Sequence, residues 1–199
     1  LIHNSRLAQF VTATAQGPIA TPLPMVLDAD EGEFGTLYGH LAKSNPQWQE
    51  PVLGDALAIF MGADAYVSAG WYPSKQVNHK VVPTWNYEAV QAFGPVEFFS
   101  DTDRLLDIVT RLTDQHEERQ KVPWHVTDAP ESFIQGHLKS IVGVRLPIAR
   151  LLAKRKMSQN RSAEDRAGVV RGLAASLDPR DRAVAGMIPL VEDVPPTGS

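Results

Sequence analysis

Residues 66–87 read YVSAGWYPSKQVNHKVVPTWNY, with two Trp, three Tyr, two Lys, one His, two Asn and two Pro in 22 positions. Short apolar runs flank the stretch at 56–61 and 89–93. They read as strands able to hold a polar, aromatic segment still. Rings, fixed prolines and a few cations suit the gripping of a flat, anionic molecule by stacking and charge. A hairpin whose rings fill a core is the commoner use of such residues.

Strand signals continue in both directions. Residues 9–15 (QFVTATA) alternate and are β-branched, and Gln16-Gly17 is a turn signal. Residues 19–27 read as a second strand, where Pro22 and Pro24 point to an edge or a bulge. An acidic turn at 28–35 leads to a returning strand at 34–40. Residues 1–9 read as the end of a helix, and 41–48 as a short helix stopping near Asn45-Pro46. A strand pair is expected at 55–61 and 65–69, joined by Gly62-Ala63-Asp64. Strands at 85–93 and 95–99 follow, with Gly94 as a bend.

Asp101 or Thr102 opens a helix to about Glu118, with Leu105, Ile108, Val109 and Leu112 at helical spacing. Asp128-Ala-Pro-Glu131 has capping-box spacing for a helix to about Leu138. Residues 140–148 read as a core strand, and Ser162 and Asp178 open two more helices. Consecutive hairpins with a late return strand predict a mainly β, α+β fold with C-terminal helices. They favour a closed antiparallel barrel over a parallel sheet.

The 199 residues are 43% hydrophobic and 21% charged, an ordinary soluble composition for one domain with appendages. No apolar run approaches the roughly 20 residues of a membrane span, so no membrane partner is expected. Absence of Cys excludes disulfides, thiolate metal sites and a Cys nucleophile, and it fits a cytoplasmic protein. Leu1 opens inside a helical pattern, so further residues are expected upstream. Charge is uneven. Residues 1–144 carry 9 Lys/Arg against 17 Asp/Glu, whereas 145–182 carry 10 against 4, a local excess of +6. That segment is the one candidate for contact with DNA.

No P-loop, Gly-x-Ser-x-Gly elbow or His-Glu-x-x-His pair occurs. Six scattered His give no metal spacing, and no metal is expected. Three polar clusters stand out: Gly39-His40-Leu-Ala-Lys43-Ser44-Asn45-Pro46 after a strand end, the aromatic pair of runs at 71–75 and 82–87, and Lys156-Met-Ser158-Gln159-Asn160-Arg161. The first, at the start of a short helix, offers donors for a phosphate, and equally suits a capped helix with an exposed Lys. The third is a basic loop dense in hydrogen-bonding groups.

The combination GHLAKSNPQW, YVSAGWYPSK, VVPTWNY, HEE, PW and KMSQNR, in this order from about Leu7 to Leu177, resembles the PaiB-type family of FMN-binding negative transcriptional regulators. The resemblance implies an antiparallel split β-barrel of the flavin reductase and pyridoxamine-phosphate-oxidase type. It also implies a homodimer with FMN sites at the subunit interface, and a repressor role. The family's phosphate-binding positions fall on His40, Lys43 and Asn45. Its Trp-Tyr-x-x-Lys falls on Trp71, Tyr72 and Lys75, and its Thr-Trp-Asn-Tyr on Trp85, Asn86 and Tyr87. Its C-terminal motif falls on Lys156, Ser158, Gln159, Asn160 and Arg161.

Two departures occur: Ala69-Gly70 where Ser-Pro is frequent, and Ala153 for a frequent Gly. The expected division is 1–155 as the FMN-binding split barrel, 156–190 as a basic helical extension packed on it, and 191–199 as a frayed tail. A flavin-dependent oxidoreductase is the alternative function. His79, Lys75 and Tyr87 would be its candidate proton donors, and no spacing singles out a catalytic residue.

Overall fold

The structure is a computed structural model, and it describes residues 1–190; the tail at 191–199 lies outside the described residues. Nine strands are β1 Ala8–Thr14, β2 Gly17–Leu23, β3 Val26–Asp28, β4 Thr36–Ala42, β5 Ala56–Val67, β6 Thr84–Gly94, β7 Glu97–Phe99, β8 Ile141–Pro147 and β9 Arg150–Lys156. The five α-helices among the described residues are α1 Lys75–Asn78, α2 Thr102–Glu117, α3 Glu131–Leu138, α4 Ala163–Ala174 and α5 Pro179–Ala185. The mainly antiparallel β architecture with C-terminal helices is as expected. The strands form two sheets, ordered β2-β1-β5-β6-β9 and β3-β4-β8-β7, rather than one closed ring.

Local chemistry explains most boundaries. Gly17, at φ 116°, makes the tight turn that pairs Thr14 with Gly17 and sets the whole β1/β2 register. Pro22 is tolerated because β2 is a sheet edge, and the chain breaks at Pro24 before β3. Helices α2, α4 and α5 start where Asp101, Ser162 and Asp178 accept backbone N–H groups through their side chains.

Three expectations shift. The helical reading of 1–9 reduces to a 3-10 turn at Ile2–Asn4. The expected helix at 41–48 is a continuation of β4 followed by a 3-10 turn, Pro46–Trp48, that begins at the proline instead of stopping there. The strand pair around Gly62-Ala63-Asp64 is one continuous strand, β5.

The chain packs into two compact units, each assembled from separated stretches. One is Leu1–Phe60 with Val90–Leu152; the other is Met61–Ala89 with the chain from Ala153 onward. The first unit has two apolar clusters. One, around Phe10, Leu37, Phe60 and Leu146, lies between strands. The other packs Leu105, Ile108 and Leu112 of α2 on Val26 and Phe99. The second unit is centred on Val67, Tyr72, Met157, Val169 and Leu173.

A polar brace ties β4 to β8. Tyr38 donates to Glu31 Oε2 at 2.6 Å, and Arg145 Nε donates to Glu31 Oε1 at 3.0 Å. The Tyr38 hydroxyl, and then the Arg145 guanidinium, hold the Glu31 carboxyl below its ordinary value. No helix of the described residues is long and apolar enough to cross a membrane.

Candidate functional site

The 66–87 stretch lies in the second unit and uses its aromatic side chains in two ways. After β5, Ser68 accepts from Gly70 N at 3.1 Å and caps a 3-10 turn, Ala69–Trp71. Here the rings turn inward. Trp71 packs its indole on the bare face of Gly172 in α4, and Tyr72 is 1% exposed. The Arg161 guanidinium lies 4.6 Å above the Tyr72 ring. Ser74 donates its N–H and its hydroxyl to Asp165 at 3.0 and 2.7 Å, which locks this turn to the start of α4. Lys75 then opens α1 as an exposed side chain, and His79 ends that helix in the left-handed region at φ 57°.

Trp85, one residue into β6, does the opposite. It is 53% exposed, and Tyr66 meets it edge-on, ring centroids 5.8 Å apart. Alternation along the strand buries Asn86 fully and leaves Tyr87 half-buried.

The Lys156–Arg161 motif uses its hydrogen bonds within the second unit. Lys156 donates to the Thr84 hydroxyl. Asn86 Nδ2 donates to Ser158 Oγ at 3.1 Å, and that hydroxyl lies 3.2 Å from Asn86 Oδ1. Gln159 accepts from Met157 N and donates to Arg155 O, closing the loop on itself around Ser158, whose φ is 61°. Asn160 is exposed, and the Arg161 carbonyl accepts from Arg166 at 2.8 Å.

The first unit contains the remaining three expected residues. Asn45 is committed at both ends: its Oδ1 accepts from Gln47 N and its Nδ2 donates to Thr21, each at 2.9 Å. Lys43 extends into solvent just past β4. His40 sits three residues earlier in the extended chain, which puts it on the opposite face of the strand. It lines a cavity of about 310 Å³ with Trp124, Phe133 and Ile134. Its Nδ1 is sealed from solvent without a partner, and burial pushes the imidazole below its ordinary value. A neutral ring holds no phosphate by charge.

These shifts predict a two-step loss of stability on acidification. A depressed imidazole binds its proton less readily folded than unfolded, so stability declines as pH drops below about 6.5. Glu31, also depressed, adds a second decline through the carboxylate range. Urea midpoints from pH 8 to 3 should show both; His40→Leu should remove the first step, and Glu31→Gln should shrink the second, to which Glu97, held low by Arg104, also contributes.

Residues 1–150 match the protein family described as "Putative FMN-binding domain". The chain belongs to that family. It is 31% identical over 180 residues to protease synthase and sporulation protein PAI 2 of Bacillus subtilis, covering 89% of this chain and 84% of that one. It is 36% identical over 210 residues to an uncharacterized protein of Emericella nidulans, covering 86% and 83%. Among solved structures it resembles the FAD and heme binding protein of Mycobacterium smegmatis, with TM-score 0.57, 16% identity and coverage of 83% and 73%. It also resembles the flavocytochrome Anf3 of Azotobacter vinelandii, with TM-score 0.53, 17% identity and coverage of 78% and 64%. At these identities the structures bear on fold alone, and the chain spans just under two thirds of the flavocytochrome.

The resemblance to the PaiB-type family is thus borne out. In this member of the FMN-binding domain family, the Lys156–Arg161 motif lies beyond the matched residues 1–150. Three groups escaped the sequence reading. Tyr66 was quoted without a role, and only the fold reveals it as the partner of Trp85. Asp165 reads as a helix-start acid, which hides its grip on Ser74. Trp124 stood in the quoted Pro-Trp pair, and nothing in sequence joins it to His40 across 84 positions.

Proposed function

We propose that this chain is a cytoplasmic, homodimeric FMN-binding protein of the PaiB type that serves as a negative regulator of transcription. The observation that carries the cofactor is the open indole face of Trp85, steadied by Tyr66, in a chain of a family whose description includes FMN. A flat isoalloxazine would stack there, and an exposed Lys such as Lys43 suits its dianionic phosphate. The indole belongs to the second unit and Lys43 to the first, and neither grip depends on the other.

We assign direct contact to Lys43, Lys75, Trp85, Tyr87 and Asn160. A supporting role falls to His40, Asn45, Trp71, Tyr72, Asn86, Lys156, Ser158, Gln159 and Arg161. FMN, when bound, supplies electron-transfer chemistry on its ring system. The protein's part is to hold and orient it.

The homodimer is supported by β9, an edge strand exposed from Arg150 to Arg155 with Leu151 and Leu152 in solvent. A second copy would cover such an edge. For DNA, Arg166 is not a candidate contact, since it is 7% exposed. Arg155 pairs with Glu88 and Arg180 with Asp178. Phosphate contacts are assigned to Lys154 and Arg171, two of the segment's exposed cations with no acidic partner among the described residues, and gel shifts against promoter DNA with both neutralised test this arm.

Titration of the chain with FMN, followed by flavin fluorescence, tests the core of the reading. Trp85→Ala should weaken binding about two- to tenfold, and Lys43→Ala about tenfold. Unquenched flavin at tens of micromolar protein would reject FMN.

A further inference from the structure

The first unit contains a cavity lined by none of the residues assigned direct contact with FMN. It is the 310 Å³ space bounded by His40 of β4, Trp124, Phe133, Ile134 and Leu138 of α3, and Ile141 of β8. Its size falls at the lower end of small-molecule sites. A dry cavity of about half that volume accepts benzene, so two fused rings fit here.

Chemistry narrows the occupant. Among the described residues no Asp, Glu, Lys or Arg lines the wall, so a phosphorylated or otherwise charged molecule would find no permanent counter-ion there. Two large rings remain in water at the cavity, Trp124 at 43% and Phe133 at 55% exposure. Phe133 and His137 lean together at 42° with centroids 4.1 Å apart, a pre-formed aromatic wall.

His40 supplies direction. Its Nδ1 is buried without a partner, and a proton there would leave an unsatisfied N–H, the costlier arrangement. The proton belongs on Nε2, which makes His40 a neutral donor in a mainly apolar wall, whose other polar members are Thr113, His137 and Ser140, the last two turned to backbone carbonyls.

We propose that this cavity binds a neutral, planar aromatic molecule of about two fused rings, oriented by one hydrogen bond from His40 to an acceptor on the ligand.

Quinoline, a bicycle with one ring acceptor, is the probe, and naphthalene is its acceptor-free counterpart. Saturation-transfer NMR and calorimetry on the full chain at neutral pH should show quinoline binding with Kd on the order of 10–100 µM. Naphthalene should bind about fivefold more weakly. His40→Leu should bring the two to parity. Ile134→Trp, which fills the space, should weaken quinoline at least about tenfold. Phe133→Ala, at an exposed position that folding tolerates, should weaken it severalfold with an unchanged circular dichroism spectrum.

No saturation transfer at about 1 mM quinoline, or wild-type affinity in both Ile134→Trp and Phe133→Ala, would overturn the proposal. Displacement of quinoline by FMN would overturn it too, because the cavity would then be part of the flavin site. Quinoline binding in a chain that fails to bind FMN supports the cavity and counts against the FMN reading alone.

Discussion

Gly168→Ala should lower the stability of this protein by about 2 kcal/mol, although alanine is the best helix former and position 168 lies inside α4. Propensity alone favours the substitution by about 1 kcal/mol. The space does not. A Cβ on Gly168 would collide with the carbonyl oxygen of Trp71 and stand 2.9 Å from Pro73 Cδ. A side chain could rotate away, but a backbone carbonyl in a packed interior moves only with its segment. That segment is pinned, because Ser74 is held by Asp165 and Tyr72 is sealed in the core.

Two comparisons isolate the cause. Gly136, also helical, has nothing within 4 Å of a built Cβ, so Gly136→Ala should stabilise by about 1 kcal/mol. Gly172 faces the Trp71 ring instead of backbone. Gly172→Ala should therefore recover part of its loss in a Trp71→Ala background, whereas Gly168→Ala should not. Urea denaturation reads the four single variants and the two doubles. A Gly168→Ala chain at least as stable as the parent would mean that α4 does not approach the Trp71 turn this closely.

The same contacts show what can be read from sequence. The starts of α2, α4 and α5 were legible because a cap is a local bargain between one side chain and N–H groups two or three residues ahead. The proline-marked edge at β2 was legible for the same kind of reason. Strand neighbours are not local. β5 pairs with β1 and borders β6, a choice made across tens of residues by surfaces that alternation alone does not specify. Two sheets instead of a closed ring follow from that choice. Gly62-Ala63-Asp64 resembles a turn, but Gly62 needs no left-handed φ here and the strand runs through it.

The candidate site was legible as a set of residues, less so as a set of roles. Trp71 and Trp85 belong to motifs of equal apparent weight, yet one props α4 and the other faces water. Periodicity could not separate them, because Trp71 sits in a 3-10 turn whose direction is set by Ser68, Ser74 and a helix about 90 residues on. The polar density of Ser158-Gln159-Asn160 was a correct sign of dense hydrogen bonding. Ser158 and Gln159 direct it to Asn86 and to the loop's own backbone.

Gln47 takes this furthest, and Gln47→Leu should cost about 3–5 kcal/mol. The residue stands in the Asn-Pro-Gln-Trp run, read from sequence beside a phosphate site, and it is fully buried. Its Nε2 donates towards Phe10 O, Thr12 Oγ1 and Ile19 O at 3.3, 3.1 and 3.2 Å, while its Oε1 accepts from Thr21 at 2.6 Å. Phe10 pairs with Thr21, and Thr12 with Ile19, across β1 and β2. One amide thus serves two cross-strand pairs, on either side of the Val11–Ala20 pair.

Leucine nearly matches the shape and removes every bond, leaving the Phe10 and Ile19 carbonyls and the buried Thr12 hydroxyl without this partner, while the half-buried Thr21 hydroxyl keeps only its bond from Asn45. Each orphan costs about 1–3 kcal/mol, offset in part by the apolar gain. Against a total stability of about 5–15 kcal/mol, the loss should be visible as a sharply lowered urea midpoint. Gln47→Glu adds a signature that mere misfit lacks. A carboxyl facing carbonyl oxygens in this place is held protonated, its folded value raised above its unfolded one. Its contribution is therefore present at low pH and lost as pH rises. That variant should gain relative stability on acidification, opposite in slope to the parent. A Gln47→Leu chain within about 1 kcal/mol of the parent, or a Gln47→Glu chain with the parental slope, would place this amide somewhere wetter than the seam between β1 and β2.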